Sequence, residues 1–302
     1  MLASSANTAA PMNAMQQTFT TLRVCVSDGA SADLRLVHPE QPTRALYLLP
    51  ALGVGIRPNE VFAAALAERG VAVAIHEWRG LGSSSLRAAR DRDWGYRELL
   101  EGDIPAGLQA ARSALPGLQW SIAGHSLGGQ LALLSAALQP KLFQRVHLVA
   151  SGLPDWRSYP RLHGLGIWAA LHLLPATAVA LGHYPGERLG FAGREARGLM
   201  RDWAHSGRQG RYRLRGSSFD PEAALTEFRG DVQGLHLASD WLCPRASLEQ
   251  LARKSPRAQW RIDTLHDADF APRRADHFGW LKQPQAVVEH LLASYAPRSA
   301  GA

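Results

Sequence analysis

The stretch Trp120-Ser121-Ile122-Ala123-Gly124-His125-Ser126-Leu127-Gly128-Gly129 sets the strongest constraint on how this chain folds. Residues 120–123 are short and mostly apolar, as a buried strand requires. Residues 127–138 carry apolar side chains at helical spacing and end before Pro140. A serine on the tight turn between such a strand and helix, with glycine two residues to either side, matches G-x-S-x-G. The turn strains the serine backbone, and a side chain at position 124 or 128 would collide with neighbouring elements. The hydroxyl is lifted clear at the amino end of a helix, where backbone N–H groups and the dipole favour negative charge. Glycine- and serine-containing loops match the motif by chance as mere structural turns. The strand before it and the helix after it favour a catalytic serine.

Strand and helix patterns alternate on both sides of this turn. Residues 18–26 and 34–38 read as an opening hairpin with turn residues Asp28 to Ser31. Residues 45–49 form a buried strand, 59–69 a helix stopped by Gly70, and 71–75 the next strand. Residues 96–114 are an amphipathic helix, and 146–150 follow the central helix as a strand. From 153 to 230 the rhythm fails: tryptophan, glycine and proline are frequent and no strand pattern is convincing. It then resumes with strands at 235–238 and 258–264 and helices at 245–254 and 283–295. This order predicts right-handed βαβ units in a mostly parallel sheet. An interruption of that length exceeds a plain loop and reads as a helical cap. The expected organisation is a disordered tail at 1–17, a core of 18–152 and 231–302, and a cap at 153–230.

Composition narrows the function. A chain of 302 residues with 46% hydrophobic content can bury one sizeable core plus an accessory piece, or two modest domains. The net charge of +7 comes from basic residues spread along the chain, with no zinc-finger spacing or aromatic–basic RNA-binding motif. The charge reads as surface character, and no nucleic-acid partner is expected. Seven arginines between 194 and 215 read as a solvated cap face, with recognition of an anionic substrate or membrane surface the alternative. The two cysteines, Cys25 and Cys243, form no metal-binding pair and suit a reducing compartment, so a cytoplasmic location is expected. The apolar run 164–182 approaches membrane-spanning length, but His172 and Pro175 interrupt it. A pair of lid helices is expected there and membrane contact is not.

A serine hydroxyl needs a base, and the base needs an orienting acid. Residues 235–239 are an apolar strand running into Asp240, which places this carboxylate at the carboxyl edge of the sheet. The same aspartate could instead cap the following helix. His277 lies in the loop between the last strand and the closing helix and is the expected base. His266 competes, but it abuts that strand directly. Asp276 neighbours His277 yet points away from it in an extended chain. His125 reads as a packing and hydrogen-bonding residue. Asp267, Asp269 and His277 lack rigid ligand spacing, so no metal is expected, and no cofactor either. For the oxyanion, the elbow itself offers the Leu127 N–H. The loop Pro50-Ala51-Leu52-Gly53 offers a second donor, Leu52, with Ala51 the alternative.

These residues together resemble the α/β-hydrolase fold superfamily over residues 18–297. The markers are the elbow at 124–129, the loop Arg79-Gly80-Leu81-Gly82-Ser83-Ser84, Asp240 after a late strand, and His277 before the last helix. Within it the chain is similar to bacterial predicted α/β hydrolases of the monoacylglycerol-lipase and serine-aminopeptidase-like branch. Many relatives carry His-Gly after the third strand, where this chain has Pro50-Ala51-Leu52-Gly53. The resemblance implies an eight-stranded, mostly parallel sheet flanked by helices, with an inserted cap. It also implies a serine hydrolase with Ser126, His277 and Asp240 as the triad. An apolar cap, with Trp168 and Leu171 facing an acyl pocket, favours a carboxylic ester with a medium-chain or lipid-like acyl group over a peptide. An acyltransferase with the same triad and a non-catalytic binding protein on the same fold remain alternatives. The expected partner is a small acyl ester, and a homodimer is allowed.

Overall fold

The computed structural model describes residues 18–295. The expected tail at 1–17 lies outside the described residues. The strands are β1 (Thr20–Cys25), β2 (Ser31–Val37), β3 (Arg44–Leu49), β4 (Val71–Ile75), β5 (Trp120–His125), β6 (Arg145–Val149), β7 (Tyr184–Pro185), β8 (Arg194–Glu195), β9 (Asp231–Leu237) and β10 (Gln259–Leu265). The helices are α1 (Glu60–Ala67), α2 (Ile104–Ala114), α3 (Leu127–Leu138), α4 (Arg161–Leu181), α5 (Gly186–Leu189), α6 (Arg197–Gln209), α7 (Pro221–Glu227), α8 (Arg245–Ala252) and α9 (Gln285–Ala293).

Eight strands form one sheet in the order β1-β2-β4-β3-β5-β6-β9-β10. The β1–β2 and β2–β4 pairs are antiparallel, and every pairing from β4 to β10 is parallel. Both faces are covered. In β3, Ala45, Tyr47 and Leu49 join one apolar cluster with residues of α2 and α3, while Leu46 and Leu48 join a second with α1 and α9. That period of two on a strand buried on both faces explains why β3 and β4 read as continuous apolar runs. Leu46 is fully buried, so truncation to alanine would cost about 2–5 kcal/mol.

The structure departs from the sequence expectation at four places. The predicted helix 96–114 is regular only from Ile104. Residues 98–103 wind wider, with the Ile104 N–H reaching the Leu99 carbonyl five residues back, and Pro105 offers no N–H of its own. Strand β9 begins at Asp231 rather than 235, because its polar residues find partners in the sheet and beyond it. Arg145 reaches Asp231, while Gln233 bonds His147 at 3.0 Å and the His290 carbonyl at 3.0 Å. A two-residue ladder, β7 with β8, lies in the stretch expected to hold no strand.

The fourth departure is α4, one continuous 21-residue helix where two were expected. Pro175 cannot donate to the Leu171 carbonyl four residues earlier, which should break the helix. Arg208 of α6 donates to that carbonyl instead, and the helix runs on. Arginines in the stretch read as a solvated face do similar work. Arg194 donates to the Ala88 carbonyl (2.8 Å) and Arg197 to the Arg90 carbonyl (3.1 Å), fastening the segment between β6 and β9 to the 88–93 loop. Arg211 and Arg213 do remain exposed.

Candidate active site

Ser126 sits between β5 and α3 at φ 55°, ψ −120°, a backbone conformation that L-residues rarely adopt. The flanking glycines show why nothing larger fits. A Cβ at Gly124 would stand 2.1 Å from the Gly128 carbonyl carbon, and one at Gly128 would stand 2.2 Å from the Leu49 carbonyl oxygen. The turn is pinned by the Ser126 N–H to the Val149 carbonyl (3.1 Å) and by the Ser151 hydroxyl to the Ser126 carbonyl (2.7 Å). Ser126 itself remains partly exposed while Leu127 behind it is buried. The Gly129 and Gln130 amides turn back to the Ser126 carbonyl (3.0 and 3.4 Å), and Leu127, the candidate oxyanion donor, is the first residue of α3.

His277 and Asp240 meet: Nδ1 to Oδ2 is 2.7 Å, and both side chains are buried. The other carboxylate oxygen accepts the N–H groups of Leu242 (2.9 Å) and Cys243 (3.0 Å). The aspartate is therefore fixed from both sides. Its role as a cap for α8 is not observed, since the residue preceding that helix is Pro244. The His277 ring lies with its centroid 5.0 Å from that of His125, the residue before Ser126, which puts the pair at the elbow. His125 packs there against Trp280 and Phe278, and burial, with His277 beside it, drives its pKa well below the usual histidine value. It stays neutral.

The competing residues are engaged elsewhere. Asp276 accepts the N–H groups of Phe278 and Gly279. His266 is exposed at the start of a short turn, its backbone N–H held by Asp269. Asp267 takes the Ser239 hydroxyl and the Ala275 N–H.

The loop after β3 is clamped beside the elbow. The Trp78 indole N–H is shared between the carbonyls of Pro50 (3.1 Å) and Ala51 (3.2 Å). Leu52 and Leu127, the two candidate oxyanion donors, line one small cavity together with Gly53, Trp78, Leu199 and Glu195. Glu195 is a residue that sequence reasoning missed. Its carboxyl is almost fully buried and accepts the Gly193 N–H (2.9 Å), and burial raises its pKa to about 7. Gly53 has no room for a side chain, because a Cβ would stand 2.2 Å from the Gly193 nitrogen. Arg79, in the loop 79–84, is bound by Asp103 (2.5 and 3.0 Å) and Asp28 (2.6 Å), an arrangement that holds the loop rather than offering a free cation.

The two predicted substrate residues part company. Trp168 is 44% exposed and lines a groove on the surface of α4. Leu171 is fully buried, its side chain set against Gly207 of α6, so it packs two helices together and does not line that groove.

A parallel sheet carrying a strained serine at the strand-to-helix turn on its carboxyl edge defines the α/β-hydrolase class. Over residues 41–209, more than half of its length, the sequence matches the family described as serine aminopeptidase, S33, and the chain belongs to that family. It is a hydrolase of the α/β-hydrolase fold. Among solved structures it is similar to a hydrolase from Pseudomonas aeruginosa PA01 (20% identity, 94% of this chain and 100% of that one, TM-score 0.56). It is also similar to an esterase from Exiguobacterium antarcticum (16%, 91% and 99%, TM-score 0.59). A third is a ferulic-acid-bound protein from Butyrivibrio proteoclasticus (15%, 90% and 98%, TM-score 0.57). At such identities the likeness is one of fold. No curated protein matches the chain.

Proposed function

We propose that this chain is a serine hydrolase that cleaves a carboxylic ester with a medium-chain acyl group through an acyl-enzyme on Ser126. The observation that carries this reading is the buried 2.7 Å contact of His277 Nδ1 with Asp240 beside the elbow. Asp240 holds the imidazole in the tautomer with the proton on Nδ1, which leaves Nε2 free to take a proton from the serine hydroxyl. Ser126 Oγ then bonds to the acyl carbon, and the carbonyl oxygen gathers negative charge against the N–H groups of Leu127 and Leu52. His277 passes its proton to the departing alcohol. A water deprotonated by the same histidine releases the acid and restores the serine.

Residues 153–230 serve in this reading as the cap that selects the acyl chain, with Trp168 rather than Leu171 as the aromatic wall on α4. A buried methylene contributes about 0.8 kcal/mol, so each carbon that still fits raises kcat/KM up to roughly fourfold. The test is a panel of p-nitrophenyl esters of rising chain length, together with a fluorophosphonate label. The label should react once, at Ser126, and Ser126→Ala should lose both label and activity. Labelling that survives the substitution removes Ser126 as nucleophile, and a preference for acetate removes the medium-chain assignment.

A further inference from the structure

A groove of about 610 Å³ lies between the 156–159 turn and the start of α4. Its volume falls within the range of small-molecule sites, and it is bounded by Trp156, Tyr159, Leu165 and Trp168, with Arg157 and Arg161. We propose that it binds an amphiphile with a single alkyl chain and an oxyanion at one end, a carboxylate or a phosphate monoester.

The packing shows why the groove exists. Gly164 is buried, and a Cβ there would stand 2.7 Å from the Trp156 carbonyl oxygen, so glycine lets α4 start hard against the turn. The apolar groups it brings together are left uncovered: Leu165 is 62% exposed. Three aromatic rings and a leucine at a concave surface suit an alkyl chain. The charge is one-sided. No carboxylate lines the groove. Arg157 lies over the Trp156 ring at 4.7 Å, its guanidinium 3.2 Å from Asp155, while Arg161 has no ion-pair or hydrogen-bond partner among the described residues. A free guanidinium beside an apolar trough recognises an oxyanion and discriminates against alcohols and cations. The Tyr159 hydroxyl donates to the Leu242 carbonyl (2.7 Å), so the floor of the groove is bonded to the loop that carries Asp240. The groove is thereby joined to the loop that fixes the Asp240 carboxylate. The groove shares Trp168 with the proposed acyl wall but requires nothing of Ser126, so failure of binding here and failure of the fluorophosphonate test are distinguishable.

The experiment is calorimetric titration of the full chain carrying Ser126→Ala. The ligands are decyl phosphate, decanoate, decanol, decyltrimethylammonium and inorganic phosphate, each kept monomeric. Decyl phosphate and decanoate should bind at least about tenfold more tightly than decanol, with no binding of the cation and little of inorganic phosphate. The double variant Arg157→Gln/Arg161→Gln, at two exposed positions, should erase the preference for the anions while decanol binding stays. Trp168→Ala should weaken anion and alcohol alike. Equal affinity for decanol and decyl phosphate overturns the proposal, as does insensitivity to the arginine pair. Inorganic phosphate binding as tightly as decyl phosphate overturns it too, as does binding confined to anionic lipid vesicles.

Discussion

His277 reaches Asp240 across 37 residues of sequence, and the carboxylate oxygen it does not use is already committed to the amides of Leu242 and Cys243. Two amides and an imidazole N–H satisfy the aspartate on both oxygens. Its geometry is set before any substrate arrives, which is the condition under which an acid can hold a histidine in one tautomer.

Asp240→Asn should therefore cost about 10³–10⁴-fold in kcat, because an amide can present its N–H to the ring and stabilise the wrong tautomer. Asp276→Asn should stay within about threefold, since Asp276 spends its carboxylate on the Phe278 and Gly279 amides. Steady-state rates of the two variants on one ester decide it. Comparable losses would move the acid away from Asp240.

Trp78 offers a separate handle on the oxyanion. Its indole N–H bonds both the Pro50 and Ala51 carbonyls, so Trp78→Phe keeps the bulk and frees the loop bearing Leu52. A donor that stabilises only the transition state lowers kcat, here by about 10–100-fold, and leaves KM nearly unchanged. A rise in KM at constant kcat would place Leu52 in ground-state binding instead.

Glu195 makes a prediction about stability and pH. Burial raises its pKa from 4.5 to about 7, so the folded chain holds a proton that the unfolded chain has released. The stability this contributes is complete below about pH 4.5 and is lost as pH rises through 7, by up to about 3 kcal/mol. Chemical denaturation of Glu195→Gln at pH 5 and pH 8 should lack that loss while the wild type shows it. Identical pH slopes would mean that Glu195 is ionised in the folded state throughout.

Arg208 and Pro175 should be coupled. Removing the donor to the buried Leu171 carbonyl by Arg208→Ala should cost about 1–3 kcal/mol. In a Pro175→Ala background the helix supplies its own N–H to that carbonyl, so the same change should cost far less. A double-mutant cycle by urea denaturation measures the difference. Additive effects would show that the arginine is not replacing the missing amide.

The sheet was legible because its strands are buried on both faces, so β3 and β4 appear as unbroken apolar runs. The elbow was legible because strand, strained serine and helix occupy one short stretch around Gly124 and Gly128. Gln233 hid the start of β9, since its partners His147 and His290 lie far away in sequence. Pro175 suggested two helices for the same reason: the donor that mends the break comes from Arg208, on another helix. Leu171 was expected at an acyl pocket because periodicity marks an apolar face without naming what covers it. Glu195 carried no signal at all, as a lone glutamate looks the same in water and in a cavity.

Arg194 grips Ala88, Arg197 grips Arg90, Arg90 grips Ala180 and Arg208 grips Leu171, in each case through a main-chain oxygen. Every residue type carries that oxygen. At the acceptor ends, Ala88 and Ala180, these bonds between the 153–230 segment and the rest of the chain read no side chain. Substitution can rewrite the exposed position 180, and the exposed face of α4 with it, without removing the oxygen that Arg90 holds. A lineage or an engineer can re-line this surface for a new ligand one residue at a time while its attachment is inherited intact.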